Sequence, residues 1–428
     1  MNNIKNGSKI TLEKVYFFIV FLYAARATIF TTVIDFRLNP IGFALLFLPA
    51  IYLCQKYKLA ISKGKIAVVF AILTAWMAIH FLIDVKFDIF TYYVIYVQLF
   101  VGYVVLNVFK DKIFLYYENI TVALSFVALL LWSIMQVVGV PAVASLGFMQ
   151  PSSSISSASL LIFNTPQISD YDGYLLGLTR NCGFAWEPGL FACFLALAIY
   201  FNLIRTHKII GNKNLYVLIA AMISTSSTTG YFLLFILMVN YYIFQGAKSH
   251  YKILALIFLI PVAIWGSHLP FMGDKIKQTS SAENFISENS THLNYLDNEG
   301  YSMTVQRFEG IYLEFLNFKD APVFGYGSKG NSYMNTQISP HLVVSSGVIT
   351  AFSQFGLIIG ILITLVYIKS AKKFDERYNQ KYLMLFVIYI FMSISYNFNL
   401  IALFIAIMWS GFLLDKRQTL YSLNIVKS

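Results

Sequence analysis

Charge is what this chain has least of. Only 12% of its 428 residues are Asp, Glu, Lys or Arg, against 58% apolar, and the mean hydropathy is +0.67. So little charge excludes an ordinary soluble domain. Cysteine is scarce too: three residues, Cys54, Cys182 and Cys193, give no disulfide framework. The apolar runs do not alternate with polar residues, which argues against a transmembrane β-barrel. There is no His-Glu-x-x-His, no phosphate-binding glycine loop and no Cys/His cluster, so neither a metal nor another cofactor is expected.

What remains is a succession of long apolar runs between Val15 and Leu414. Only helices satisfy their own backbone hydrogen bonds in lipid, so the expected fold is an all-α polytopic membrane protein, a single integral domain over residues 1–428. About twelve spans are expected, near 15–34, 40–54, 66–83, 89–109, 114–138, 186–204, 214–224, 229–244, 252–268, 342–368, 382–396 and 399–414. The seventh and eighth share one apolar stretch, divided at Ser224–Thr229. Lys56, Lys58, Lys63, Lys65, Lys110, Lys112, Arg205, Lys208, Lys213, Lys369, Lys372, Lys373 and Arg377 all fall on one side of this arrangement. The positive-inside rule makes that side cytoplasmic, with both termini there. The net charge of +11 is then an anchor to membrane lipid, not a nucleic-acid footprint. The first apolar run is long enough to span and lacks a small-residue cleavage site, so it should remain as an uncleaved anchor.

Two external segments interrupt the apolar pattern. The first, 139–185, is serine-rich over Ser152–Ser159 and carries Asp170 and Asp172, which suit sugar hydroxyls or plain solvation. The second, 269–341, is far longer than two late spans need. Within it Thr304–Asn317 has helical spacing, with Phe308, Ile311, Tyr312 and Phe315 on one side and Arg307 and Glu314 on another. An amphipathic helix resting on the membrane face is expected, ending before Pro322. Gly325, Gly327 and Gly330 then mark a tight loop.

The residues suited to chemistry lie around these segments. In Arg180-Asn181-Cys182-Gly183-Phe184-Ala185-Trp186-Glu187-Pro188-Gly189, Pro188 suits a first helical turn. The positive end of that helix, beside Arg180, makes a seat for a diphosphate. Glu187 could favour the helix dipole, pair with Arg180 or take a proton. Arg307 is a second phosphate or sugar ligand, or a solvated charge. His341, after Pro340 where the loop re-enters the membrane, is placed for a general base; an interfacial hydrogen-bonded histidine is the plainer account. Arg26 falls inside the first span, at a cost of roughly 2.5–3.5 kcal/mol. It should face the protein interior or an aqueous cavity, as a phosphate contact or a structural partner.

In order and placement, Arg180…Gly183…Glu187-Pro188-Gly189, Ser227…Thr229-Gly230, Arg307, Phe324-Gly325-Tyr326-Gly327 and Pro340-His341, with Gly356 and Gly360 following, resemble the Wzy-type O-antigen polymerase and O-antigen ligase superfamily. The likeness covers about residues 180–365; before that only hydropathy agrees. Thr228 stands where many relatives have an arginine, a role that Arg26 or Lys329 could supply, and Leu342 stands where ligases often have asparagine.

The resemblance implies a GT-C-like, metal-independent glycosyltransferase at the periplasmic face of a Gram-negative inner membrane. Its donor and acceptor would be glycan repeat units on undecaprenyl diphosphate, with a chain-length regulator protein as a further partner. Arg180, Arg307 and Arg26 would hold the diphosphate, and Gly325, Tyr326, Gly327 and Lys329 would form a substrate loop. His341 would be the base, with Glu187 competing for the role. The Glu187-Pro188-Gly189 element favours a polymerase over a ligase acting on lipid A–core. A lipid-linked oligosaccharide flippase is the reading from another class.

Overall fold

The computed structural model describes residues 11–32, 34–37, 39–61, 63–84, 87–147, 158–166, 178–244, 303–305, 307–338, 342–343, 347 and 349–414. Helices α1 (Leu12–Ala24), α2 (Thr28–Thr32), α3 (Pro40–Lys56), α4 (Gly64–Ile83), α5 (Ile89–Phe109), α6 (Lys112–Val138) and α7 (Val140–Ala144) form the first half. The second half holds α8 (Pro188–Thr206), α9 (Lys213–Ser224), α10 (Thr228–Val239), α11 (Arg307–Asp320), α12 (Thr350–Tyr378), α13 (Met384–Ser395), α14 (Ala402–Met408) and α15 (Ser410–Leu413). Among them α4, α5, α6, α8 and α12 are long and apolar enough to cross a membrane, and α3, α9, α10 and α13 are shorter apolar helices. The chain is a helical membrane protein.

Several helices begin where a short polar side chain satisfies a free backbone N–H. Asn39 accepts from the Ile41 N–H at 2.8 Å, with Pro40 in the first turn of α3. Asp88 accepts from Phe90 at 3.0 Å to start α5, and Asn212 from Leu215 at 3.2 Å to start α9. Ser227 accepts from Gly230 at 3.3 Å to start α10, so the Ser224–Thr229 stretch does divide two helices.

Helix α8 occupies the centre, buried at every residue from Pro188 to Ile204. Helices α6, α9, α10 and α13 pack around it. The Tyr117 hydroxyl donates to the Phe194 carbonyl at 3.1 Å, and the Phe21, Phe184 and Phe404 rings all meet Phe194 within 5.7 Å. Beside this group α14 lies against α5. Gly102 permits that approach, since a Cβ there would sit 2.7 Å from the Ala402 carbonyl oxygen.

One end of the bundle gathers ion pairs. Lys56 meets Glu13 at 2.6 Å, and Arg377 pairs with Asp111. Buried Glu118 accepts from Asn202 at 2.7 Å and from Arg205 Nε at 2.9 Å. Lys65 Nζ donates to the Phe412 carbonyl at 2.6 Å. These contacts tie the starts of α1 and α6 to the ends of α3, α8 and α12, and the start of α4 to α15, and we call this the basic end.

Two expected spans differ from single crossings. The run 15–34 is broken between α1 and α2, where Arg26 takes a left-handed φ of 52°. The turn exposes the Ala25 carbonyl to the Trp186 N–H at 3.4 Å. Arg26 is therefore not mid-helix; leaving the helix spares the guanidinium a lipid environment. The run 399–414 is two short helices, α14 and α15, after a turn with Leu400 at φ 57°. The expected span at 252–268 lies outside the described residues.

The α5–α14 approach gives a direct check. Gly102→Ala forces a methyl onto backbone and should lower stability by about 1–3 kcal/mol, read as a fall in Tm of the purified protein in detergent.

Candidate functional site

Opposite the basic end, the segment before α8 is folded by its own polar residues. Gly183 adopts φ 57°, and its N–H donates to Asn181 Oδ1 at 2.9 Å. A Cβ at Gly183 would lie 2.6 Å from the Phe191 ring, so both conformation and space require glycine there. Asn181 binds the end of α9 twice, its N–H to the Ser224 carbonyl and its Nδ2 to Ser224 Oγ, each at 2.9 Å. On the other side a small hairpin, β1 (Ser159–Leu160) and β2 (Phe163–Asn164), covers the segment. Asn164 Nδ2 donates to the Ala185 carbonyl at 2.8 Å, while Asn164 Oδ1 accepts from the Thr28 hydroxyl.

These bonds bring several of the expected residues together. Glu187 is the N-cap residue of α8 but makes no side-chain capping bond. It is an electrostatic neighbour of Arg26, as are Arg37 and Asp35. Arg26 is exposed to solvent, yet desolvation by surrounding protein is the largest influence on its guanidinium. Arg26 therefore reaches solvent beside the protein that surrounds its turn. Arg180, seven residues before Glu187, donates from Nε to the Thr225 carbonyl at 3.3 Å, in the turn between α9 and α10. Gly189 opens room for the Tyr396 hydroxyl, which would lie 3.0 Å from a Cβ there, and for Ser227 Oγ at 3.7 Å. Thr229 Oγ1 and Ser395 Oγ are 2.6 Å apart. Arg26 with Glu187, and Arg180 with the α9–α10 turn, thus stand at the same end of the bundle, where α1, α8, α9, α10 and α13 end or begin. Guanidinium groups there can hold an oxyanion and Glu187 can accept a proton.

The long external segment forms a second cluster. Helix α11 falls where an amphipathic helix is expected, ending at Asp320 before Pro322. The side that it packs against protein is the Glu314 side. Gly310, Leu313, Glu314 and Asn317 are buried and Phe315 is 49% exposed, because the helix packs on α12 and α13 through polar contacts. Glu314 accepts from Ser353 Oγ and from Asn317 Nδ2, and Asn317 Oδ1 accepts from the Met334 N–H at 2.8 Å.

Val305, Leu313, Met334 and Leu342 close a small apolar core beneath α11. Strand β3 (Met303–Thr304) pairs in parallel with β4 (Leu342–Val343), joining the two ends of the segment. The expected tight loop is present, with Gly325 at φ 76° and Gly327 at φ 63°. The Tyr326 N–H donates to Ser353 O at 2.9 Å and the Gly327 N–H to Gln354 O at 3.1 Å. Lys329 is solvent-exposed but crowded, and desolvation lowers its pKa.

Arg307 is the first residue of α11; its side chain, and all of His341, Asp170 and Asp172, lie outside the described residues. Asp170-Tyr171-Asp172 has an Asp-x-Asp spacing that can serve a divalent cation, so the chelator arm of any activity assay bears on it. Among the described residues no group of three or more His, Cys, Asp or Glu is placed to hold a metal. Sequence reasoning passed over the buried pair His80–Asp84 on α4, which contacts the 324–327 turn. Its four-residue spacing in an otherwise apolar run was the available signal. No family model, curated protein or solved structure matches this chain.

Burial raises the Glu314 pKa above its ordinary 4.5, against the opposing hydrogen bonds from Ser353, Asn317 and Thr350. A carboxyl whose folded pKa is raised stabilises the fold fully below its unfolded value, and that contribution is lost as pH rises through the folded value. Amide-exchange protection of α11 should therefore fall as pH is raised above the ordinary carboxylate range, after correction for intrinsic rates. Glu314→Gln should flatten the dependence.

Proposed function

We propose that the chain is an O-antigen polymerase, a lipid-linked glycosyltransferase joining repeat units carried on undecaprenyl diphosphate. The reaction comes from the family resemblance over residues 180–365. The observation that carries it to this end of the bundle is exposed Arg26 in the field of Glu187 at the start of α8, with Arg180 in the segment that leads into the same helix. In this reading the basic end is cytoplasmic, both termini lie there, and the Arg26–Glu187 end faces the periplasm from an inner membrane. About twelve spans in a GT-C-like arrangement complete the fold.

Arg26 and Arg180, joined by Arg307, hold the donor diphosphate and neutralise the charge that grows on it as the glycosidic bond to phosphate breaks. The acceptor sugar hydroxyl attacks the anomeric carbon, and its proton passes to His341, with Glu187 as the competing base. Undecaprenyl diphosphate leaves. Arginines in this role make a metal unnecessary for charge neutralisation, and Lys329 on the external loop takes the place of the arginine that Thr228 replaces.

Purified protein given lipid-linked repeat units should produce a ladder of polymers that persists with chelator. Arg26→Ala and Arg180→Ala should each slow elongation by roughly 10²-fold while membrane insertion is unchanged. In cells, loss of the chain should leave one repeat unit on lipid A–core, whereas loss of a ligase leaves none. His341→Ala making a normal ladder would remove the histidine from the mechanism and leave Glu187 as the base.

A further inference from the structure

Near the end of α4 that faces away from the basic end, a histidine and an aspartate are sealed beneath the external loop. His80 and Asp84 side chains are 1% and 7% exposed, with Nδ1 and Oδ1 2.7 Å apart. The other ring nitrogen, Nε2, lies 3.1 Å from the Phe324 carbonyl oxygen. That oxygen also accepts from Trp76 Nε1 at 2.8 Å. The ring thus stands between a carboxylate oxygen and a backbone carbonyl oxygen, within hydrogen-bond reach of each. The imidazole then clamps Phe324 on one side and Asp84 on the other.

The surroundings fit this clamp closely. A Cβ at Gly327 would lie 2.6 Å from His80 Nδ1 and 2.8 Å from the Tyr92 hydroxyl. The turn therefore rests its bare α-carbon on the pair. Asp84 Oδ2 and the Tyr92 hydroxyl are buried without a hydrogen-bond partner, so the cluster tolerates unmet polar groups in order to keep the seat. On the far side the turn is held by Ser353 and Gln354 of α12, and Gln354 Nε2 donates back to the Gly327 carbonyl at 3.3 Å. Gly325 passes so near the Gln354 carbonyl that a Cβ would fall 2.2 Å from its oxygen. The turn is wedged between α4 and α12, and Lys329 emerges from it two residues later.

We propose that His80 and Asp84 are positioning residues that seat the Phe324–Gly327 turn and so hold the Tyr326–Lys329 part of the external loop in place. The inference rests on the polymerase reading for its functional consequence, though not for the clamp. A buried hydrogen-bonded pair is costly to break on one side, because the remaining partner is left unsatisfied. Paired loss can be restored where single loss cannot.

The test uses full-length protein in lipid nanodiscs, with amide exchange of residues 321–333 and polymer length measured on the same samples. In His80→Gln an amide oxygen faces the Asp84 carboxylate, and exchange in the turn should rise by roughly tenfold or more, with shortened polymer. In His80→Gln with Asp84→Asn, two amides can make both contacts, and protection and polymer length should return together. Trp76→Phe removes the second donor to Phe324 and keeps the pair, so a smaller rise is expected even where His80→Gln folds poorly.

Unchanged exchange in both single variants, or no recovery in the double variant, overturns the clamp. A loosened turn with polymer of normal length overturns the positioning role and leaves the polymerase reading intact. A wild-type protein that clamps the turn but makes no polymer sinks that reading and leaves the clamp.

Discussion

The structure depends on burying one helix completely. Because α8 meets protein along its whole length from Pro188 to Ile204, its first turn cannot turn to solvent or lipid for hydrogen bonds. Pro188 removes one donor, and Glu187 supplies no side-chain cap, at an end of the bundle that also carries Arg26 and Arg180. Positive potential from the helix start and Arg26 is balanced locally by Glu187 and Asp35. A core requirement thereby sets the start of α8 among charged groups. The apolar neighbours of α8 hold that start in place, which is why Gly183, Gly189 and Gly230 are needed where side chains would collide with Phe191, Tyr396 and Ala192.

The external segment is joined to the bundle by a different device. Helix α12 carries a left-handed residue, Gly356 at φ 77°, within its apparent length. The kink admits the Pro322–Gly327 chain so closely that the Val323 carbonyl oxygen would lie 2.1 Å from a Cβ on Gly356. The Leu357 N–H donates to Pro322 O at 2.8 Å, repaying the helix for the bond its kink loses. Glu314 sits behind this junction and is satisfied by Ser353 and Asn317. Loop and helix form one unit, with polar groups carrying what a mobile loop would leave to water.

Long helices were legible because lipid leaves the backbone no other solution. The start of α8 was legible for a local reason, Pro188 in a first turn, and so were the turn glycines 325 and 327. The break at Arg26 was not, because it answers to a contact with Trp186 from a distant part of the chain. Apolar spacing separated Glu314 from the Phe315 side of its helix, but it could not tell that the Glu314 side packs on the bundle, because the partners there are Ser353 and Thr350 of α12. His80 and Asp84 announced a pair by spacing, but their third partner is a backbone carbonyl 244 residues from His80. No side-chain pattern encodes that.

Helices α9 and α13 each run only 12 residues, about 18 Å of rise against a hydrocarbon layer of about 30 Å. Ile223, on α9, is nearly half exposed. Lipid beside so short an apolar helix meets a hydrophobic mismatch, which a bilayer relieves by thinning. The membrane is then expected to be thinnest along the α9 side of the bundle.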